Sequence, residues 1–310
     1  MLRNSSPRPQ IKCKSSYQIK ELFILMNLYK IVACFSSIYW PALILLCSTA
    51  CQQFPTPQAL QAKAAQQGWQ PSTLTTPTFS LLTQTKITQL SAPLIIYLEG
   101  DGHSCLNKYQ LSDDPTPRQP IGLALALQDH RPNLAYLARP CQYLRALDPK
   151  CHPRYWSTHR FSAEVISATH SAIEQLKSKA QAQKIHLVGF SGGGGLAVLV
   201  AAQRADVLSL TTIAGDLDID FMRQYHHSLP LTGSQNPLQV APALRHIPQQ
   251  HWIGAQDSQV PAQVSKNYYR ESQPSDCVKI QVAPDTGHHQ GWVKNWAHYL
   301  QQPHHCAQAD

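Results

Sequence analysis

The chain has 310 residues, of which 43% are hydrophobic and 14% are charged. This composition supports a sizeable apolar core and excludes a disordered polyelectrolyte, and the length favours one large domain preceded by a leader. The formal net charge is +8, but residues 1–50 hold six of the 26 basic and only one of the 18 acidic residues, which leaves about +3 for the remainder. Because no basic run with interleaved aromatic residues follows, the charge does not indicate nucleic-acid binding.

Residues 31–47 form an apolar stretch without a charged side chain. A lysine precedes it and the small residues of 47–51 close it, which is the pattern of a secretory signal peptide. The stretch is too short, and too often interrupted by serine and proline, for a membrane-spanning helix. We therefore predict a signal peptide over residues 26–51. Residues 1–25 are an unusual N-terminal extension of such a signal, and we expect translation to start at Met26.

The signal ends on Cys51, directly after Ala50. This ending resembles a bacterial lipoprotein signal, in which the cysteine becomes the lipidated first residue. Ser48 departs from the aliphatic residue that is usual three positions before that cysteine, so an ordinary cleaved signal with Cys51 as a simple thiol is the alternative. We predict lipidation at Cys51, and hence an exported protein anchored to a membrane of the cell envelope, at the periplasm or the cell surface.

Nine cysteines suit an exported protein, because disulfides persist in oxidising compartments. Cys141 and Cys151 lie close together in one loop-like stretch, so we expect them to form a disulfide. The pairing of Cys105, Cys277 and Cys306 stays open. No Cys-x-x-Cys spacing occurs, which disfavours a zinc site, and we expect neither a metal nor a cofactor.

The elements alternate between strand and helix after a linker. Residues 52–78, rich in Gln, Pro, Thr and Ala, predict that linker, and the domain is expected over 79–303 with a tail at 304–310. Short apolar runs bounded by glycine or proline predict buried strands, and amphipathic stretches predict helices. The strands are 93–98, 133–137, 184–188, 208–214, 251–254 and 278–282; the helices are 121–129, 161–179 and 196–204. This pattern predicts the α/β fold class, with a mainly parallel central sheet and helices on both faces.

The turn Gly189-Phe190-Ser191-Gly192-Gly193 lies between a predicted strand and a predicted helix. It matches Gly-x-Ser-x-Gly, in which a sharp turn exposes the serine hydroxyl and glycine is required on both sides because side chains there would collide. The N-terminus of the following helix favours negative charge at this place. A flexible turn or a phosphate-binding loop is the alternative, but the glycines do not follow Gly-x-Gly-x-x-Gly. We predict that Ser191 is a nucleophile.

A serine nucleophile needs a base, and on such a sheet the expected chain order is Ser, then Asp or Glu, then His. His288 lies after a glycine in the loop that follows the last predicted strand, so we predict it as the base, with His289 as the fallback. The acid that orients the imidazole is predicted to be Asp257, in the turn after the preceding strand. Asp257 could instead bond its own turn backbone. Its rivals are Asp216, Asp218 and Asp285.

Acyl transfer also needs two N–H donors for the oxyanion of the tetrahedral intermediate. The residue after the nucleophile, Gly192, is the first predicted donor. The second should come from the glycine-rich loop of residues 99–102, where we favour the amide of Asp101, with Gly102 as the alternative. A tight turn without a chemical role is the competing interpretation of this loop.

With these motifs, the sequence resembles the α/β-hydrolase superfamily over about residues 79–303. The resemblance rests on the Ser191 turn, the Asp257 turn and Gly287-His288. It implies the α/β-hydrolase fold, the Ser-Asp-His triad and the oxyanion loop. It implies no particular substrate.

The chain is also similar to a group of uncharacterised bacterial hydrolases and lipoproteins. In that group the segments Tyr97-Leu98-Glu99-Gly100-Asp101-Gly102 and Ala138-Arg139-Pro140-Cys141-Gln142-Tyr143 recur together with a later cysteine, here Cys151. The first segment departs from many lipases and esterases, which have His-Gly where this chain has Glu99-Gly100-Asp101.

These features predict an exported serine esterase or lipase that acts on a small-molecule or acyl substrate. A peptidase or amidase is an alternative, because the same triad serves both bonds, and a non-catalytic surface lipoprotein is another. A metal-dependent hydrolase is disfavoured because no His-Glu-x-x-His occurs. The stretch between strands 208–214 and 251–254 is too short for a large cap domain, so we expect an open site. The oligomeric state stays open.

The anchor is tested by growing cells that express the full chain with a radioactive fatty acid. We expect label on the wild-type protein and none on Cys51→Ala, because the acyl chain requires that thiol. Absence of label from the wild type, or label that survives Cys51→Ala, would contradict a lipid anchor at this residue.

Overall fold

A computed structural model of the protein describes residues 54–107, 109–228, 230–273, 275–302 and 306. The predicted signal peptide, its lipidation site Cys51, the proposed start and the predicted tail apart from Cys306 lie outside these residues. The elements given below belong to one compact unit.

The described residues contain ten strands and seven α-helices. The strands are β1 (Gln70–Thr75), β2 (Ser80–Ile87), β3 (Leu94–Leu98), β4 (Cys105–Asn107), β5 (Gln110–Leu111), β6 (Asn133–Leu137), β7 (Ile185–Phe190), β8 (Val207–Ile213), β9 (Gln249–Gly254) and β10 (Val278–Ala283). The helices are α1 (Pro57–Gln66), α2 (Ile121–Ala126), α3 (Ala163–Ala180), α4 (Gly192–Ala201), α5 (Ile219–Tyr225), α6 (Gln263–Glu271) and α7 (Trp292–Tyr299). Two 3₁₀ helices span Pro153–Trp156 and Pro237–Leu244.

Eight strands form the central sheet of the described part, in the order β1-β2-β6-β3-β7-β8-β9-β10. The pairs β1–β2 and β2–β6 are antiparallel, and every pair from β6 to β10 is parallel. Strands β4 and β5 form a separate hairpin. The six predicted strands are therefore the parallel part of the sheet, and the α/β fold class is confirmed.

The central strands are buried on both faces, as their unbroken apolar sequences predict. All five residues of β3 are buried, and so are all five of β6. Because successive side chains alternate between faces, Ile96 packs in the core that includes α3 and α4, whereas Tyr97 contacts α7, where the indole of Trp296 donates a hydrogen bond to its hydroxyl over 3.1 Å. Helices thus cover both faces of the sheet.

Helix α3 lies within two residues of the predicted 161–179 at each end, and both of its ends carry capping residues. The Ser162 hydroxyl accepts a hydrogen bond from the Val165 amide, which caps the N-terminus, and Glu164 lies in the first turn. Lys177 and Lys179 lie in the last turn, where positive charge is favourable, and Gln181 ends the helix with a left-handed φ of 52°. The apolar face of the helix then packs on the sheet.

The predicted linker 52–78 is an integral part of the domain from residue 57 onward, which corrects the prediction. Thr56 caps α1 by accepting a hydrogen bond from Ala59, and Leu60 of this helix is buried. Strand β1 pairs antiparallel with β2 at the sheet edge. A strand at the edge of a sheet has one edge in solvent, so a polar Gln-Pro-Ser-Thr sequence is tolerated there. The composition of β1 therefore resembles that of a linker.

The segment between β8 and β9 holds only the short helix α5 and one 3₁₀ helix, so the described part of this segment contains no cap domain. Among the described residues, no helix combines the length and the apolar character needed to cross a membrane.

Two disulfides join pairs of described cysteines and secure loops of the domain. Cys141 and Cys151 form the expected pair, which packs against the buried Trp156. Cys277 pairs with Cys306 and ties the chain beyond α7 to the start of β10, a pairing that the sequence left open. Such bonds are typical of an oxidising compartment.

Replacing Cys141 and Cys151 by serine should lower the free energy of unfolding by about 3 kcal/mol, because the crosslink restricts the unfolded chain. Replacing Cys277 and Cys306 should cost about 3.5 kcal/mol on the same chain-entropy argument, since its sequence separation is 29 residues instead of 10. Urea denaturation followed by circular dichroism measures both. The opposite ranking would contradict an unfolded-chain origin of this stabilisation.

Candidate active site

The candidate catalytic residues all follow the carboxyl ends of parallel strands. Ser191 comes after β7, Asp257 after β9 and His288 after β10, while the loop with Asp101 follows β3. Because these strands are parallel, their carboxyl ends meet at one edge of the sheet, where α/β proteins bind their ligands.

Ser191 lies in a strained turn between β7 and α4. Its φ is 52° and its ψ is −120°, which is rare for a residue with a side chain. Its backbone holds this conformation through three hydrogen bonds: the amide donates to Ile213, and the carbonyl accepts from Gly194 and Asp216, over 2.8 to 3.0 Å. The hydroxyl is thereby presented at the edge of the sheet.

The glycines around the serine are required by close backbone contacts. A Cβ atom on Gly189 would lie 2.6 Å from the Cα of Gly194, and one on Gly193 would lie 2.9 Å from the carbonyl carbon of Glu99. Four consecutive glycines disfavour a helix, so the sequence predicted its start at residue 196; α4 in fact begins at Gly192. Packing against the sheet compensates for the low helix propensity of glycine.

Ser191, His288 and Asp257 form one hydrogen-bonded chain. The Nε2 atom of His288 lies 3.0 Å from the Ser191 hydroxyl, and its Nδ1 atom lies 2.8 Å from a carboxylate oxygen of Asp257. The three residues are 6% to 8% exposed, so the hydroxyl is nearly but not wholly enclosed. This is the geometry in which a histidine can take a proton from a serine while an aspartate orients the ring.

The two carboxylate oxygens of Asp257 have different hydrogen-bond partners. One oxygen accepts hydrogen bonds from the amides of Gln259 and Val260 over 2.8 and 2.9 Å, and the other faces the imidazole. Burial raises the pKa of Asp257, but the hydrogen bond and charge of His288 and the two amides outweigh it, and the pKa lies below its usual value. Asp257 therefore bonds its own turn and His288 at the same time, and its role as the catalytic acid stays a prediction.

The predicted oxyanion loop lies directly beside the nucleophile. A Cβ atom on Gly100 would lie 3.3 Å from that of Ser191. Gly102 has a φ of +67°, so its place in the loop favours glycine. The carboxylate of Asp101 lies against Gly192 so closely that a side chain there would collide with it. The loop thus lies where it can face a substrate carbonyl, and the donor roles of Gly192, Asp101 and Gly102 stay predictions.

Solved structures share this architecture, although no family model and no curated protein matches the sequence. Est1E from Butyrivibrio proteoclasticus aligns with a TM-score of 0.53 at 13% identity, over 74% of this chain and 97% of its own. The α/β hydrolase GrgF from Penicillium sp. sh18 aligns at 0.53 and 13%, over 75% and 95%. The Pyrococcus furiosus esterase Pf2001 aligns at 0.54 and 15%, over 75% and 89%. The chain has the α/β-hydrolase fold.

The other candidates for the acid of this α/β-hydrolase fold have different partners. Asp216 forms an ion pair with Arg160 over 2.5 Å. Asp218 caps α5 by accepting from the amide of Phe221. Asp285 accepts a hydrogen bond from the side chain of Gln256. The ring of the fallback base, His289, lies edge-to-face with that of His288, with centroids 4.7 Å apart and an interplanar angle of 80°.

The sequence did not identify Glu99 as an anchor of the predicted oxyanion loop. This carboxylate is 1% exposed and accepts hydrogen bonds from the amides of Gly100, Gly122 and Leu123, so it joins the loop to the start of α2. Burial raises the pKa of Glu99 to about 7, against the lowering effect of these amides. An acidic residue directly after an apolar strand was the available signal.

Gln142 is a second anchor that the sequence did not identify. Its side-chain amide donates to the carbonyl of Gly100 over 2.8 Å, and its side-chain oxygen accepts from the amide of Arg139. Gln142 belongs to the segment Ala138–Tyr143, which this chain shares with the uncharacterised bacterial hydrolases and lipoproteins. That resemblance assigned no role to the residue. No group of metal-ligating side chains that could hold an ion occurs among the described residues.

Glu99 predicts a specific pH dependence of stability. Its pKa is higher in the folded protein, about 7, than the 4.5 expected when unfolded. Between these values the folded state keeps a proton that the unfolded chain has lost, so stability falls as the pH rises. Glu99→Gln removes this effect. The free energy of unfolding of the variant minus that of the wild type should therefore grow by about 3 kcal/mol from about pH 4 to about pH 8.

Urea titrations across this pH range measure the difference. Glu271→Gln, at an exposed position, controls for the loss of one carboxyl group. A pH-independent difference between Glu99→Gln and the wild type would contradict the raised pKa of Glu99.

Proposed function

We propose that this protein is an exported serine hydrolase that cleaves esters through a Ser191-His288-Asp257 triad and an acyl-enzyme. The observation that carries the proposal is the hydrogen-bonded chain from Ser191 through His288 to Asp257, at the edge of the sheet where the oxyanion loop also lies. An isolated Ser–His contact can be structural. A contact that includes a buried acid and a strained serine has the form of a catalytic site.

The chemistry follows from the positions of the protons. The Ser191 oxygen attacks the carbonyl carbon of the ester while His288 Nε2 takes its proton, and the carbonyl π electrons move to the oxygen as an oxyanion. Asp257 accepts the Nδ1–H hydrogen bond and stabilises the imidazolium without taking the proton. When the intermediate collapses, His288 gives its proton to the departing alkoxide. Water then repeats the sequence on the acyl-enzyme and releases the acid.

Two features support stabilisation of the oxyanion. The amides of Gly192 and Asp101, or Gly102 in place of the latter, supply the proposed hydrogen bonds. Helix α4 begins at Gly192, so the positive end of its dipole points to the same place. Because these groups are already in position, they need no reorganisation when the charge develops.

An ester is the proposed substrate because the triad edge carries no cap domain in its described part, which suits accessible small esters. The Pyrococcus furiosus protein is named as an esterase, which agrees with this choice. The disulfides agree with an oxidising compartment, and Cys51 is the proposed membrane anchor.

A fluorophosphonate probe tests the nucleophile on the purified protein. The wild type should be labelled, and Ser191→Ala should not be, because the probe reacts with an activated serine hydroxyl. His288→Ala should lower labelling and kcat by at least about a thousand-fold, since the base is lost. Mass spectrometry of the labelled peptide and hydrolysis of 4-nitrophenyl acetate are the measurements.

Ser209→Ala is the matched control. The Ser209 hydroxyl also forms a hydrogen bond with a histidine, His186, over 2.7 Å. His186 is the second residue of β7, at the end of the strand opposite to Ser191. This variant should be labelled like the wild type. An unlabelled wild type would favour a non-catalytic binding role, and cleavage of peptides but not of esters would favour a peptidase.

A further inference from the structure

The two segments that this chain shares with the uncharacterised bacterial hydrolases, residues 97–102 and 138–143, meet at the candidate active site through a network of ion pairs. Asp101 belongs to the first segment and Arg139 to the second. One carboxylate oxygen of Asp101 lies 3.2 Å from a guanidinium nitrogen of Arg139, and the other lies 3.3 Å from one of Arg160. Arg160 also holds Asp216 over 2.5 Å. We call these four residues the arginine–aspartate network.

The network is largely removed from solvent. The side chains of Arg139 and Asp216 are 5% and 0% exposed, and those of Arg160 and Asp101 are 12% and 13% exposed. Both guanidinium groups also lie over the ring of Phe161, at 5.4 and 5.2 Å from its centroid. Charges with so little water around them act strongly on their neighbours.

The network contacts the start of α4 at two residues. The Asp101 carboxylate lies against Gly192, whose amide is the proposed oxyanion donor. The backbone amide of Asp216 donates to the carbonyl of Ser191 over 3.0 Å. A negative side chain therefore touches the residue at which negative charge must develop during acyl transfer.

A bare carboxylate beside Gly192 would oppose that second negative charge. The four side chains of the network carry two positive and two negative charges, so their charges balance. We propose that Arg139 and Arg160 are positioning residues that fix the Asp101 carboxylate and neutralise it, so that the oxyanion can form beside Gly192. This inference rests on the proposed hydrolase function. It assigns a role to Arg139, which the resemblance left without one.

The test compares Arg139→Gln with the double variant Asp101→Asn/Arg139→Gln, using 4-nitrophenyl acetate as the substrate. Arg139→Gln leaves one negative charge in excess, so kcat should fall about a hundred-fold, comparable to the loss of an oxyanion donor. KM should stay within about three-fold, because the opposing charge exists only in the transition state. The double variant is balanced again and should recover at least about ten-fold in kcat over Arg139→Gln.

Arg139→Lys keeps the charge without the planar fork and should also exceed Arg139→Gln by at least about ten-fold. Arg204→Gln is the matched control, since the Arg204 side chain is 7% exposed and pairs with Asp206 and Glu174, away from the start of α4. Its kcat should equal that of the wild type. Circular dichroism establishes that each variant is folded.

A purely structural role for Arg139 predicts that Asp101→Asn does not rescue, and that outcome overturns the inference. If Arg139→Gln does not fold, the double variant is compared with the wild type instead. A folded double variant with kcat below about a hundredth of the wild-type value would overturn the proposed role of the network. Fluorophosphonate labelling separates the two proposals. A labelled wild type without rescue removes only the network's role, whereas an unlabelled wild type removes the hydrolase function and this inference together.

Discussion

The sharp turn at Ser191 is the constraint on which the site depends. Strand β7 must turn into α4 within one residue. Gly189 lies against the backbone of Gly193 and Gly194, and Gly193 lies against the backbone at the end of β3, so neither can carry a side chain. The strain in Ser191 persists because its amide and carbonyl are held by β8 and the segment after it. The contact of Gly193 with the end of β3 also brings the loop after β3 beside Ser191, so one packing arrangement presents the candidate nucleophile and places the predicted oxyanion loop next to it.

Around this turn, polar side chains hold the backbone in place through hydrogen bonds and ion pairs, whereas apolar packing does so elsewhere in the domain. Glu99 and Gln142 hold the backbone of Gly100 from its two ends, through its amide and its carbonyl. Arg139 and Arg160 hold the side chain of the next residue, Asp101. Buried polar groups of this kind stabilise only when their partners are present, so the loop has few alternative conformations. A loop this constrained is suited to holding hydrogen-bond donors in a fixed direction.

The sequence could predict features that depend on local pattern. Short runs rich in apolar residues marked the six parallel strands, and their order placed Ser191, Asp257 and His288 at one edge. Features with weak local signals were missed. The edge strand β1 is mostly exposed and polar, so it resembled a linker, and the first turn of α4 is made of glycines, which locally disfavour a helix. In both places, contacts with distant segments outweigh local propensity.

What the sequence determined by itself was the α/β class, the strand-turn-helix unit at Ser191 and the chain order of the three candidate residues, because these depend on residues close together in the chain. Only the tertiary structure decided which aspartate faces His288, that Cys277 pairs with Cys306, and that Glu99, Gln142 and the arginine–aspartate network contact the predicted oxyanion loop. The partners in these contacts are 29 or more residues apart in most cases, and Arg160 and Asp216 are brought together across 56 residues. Pairing at such separations is set by how the strands order themselves in the sheet, which no local pattern encodes.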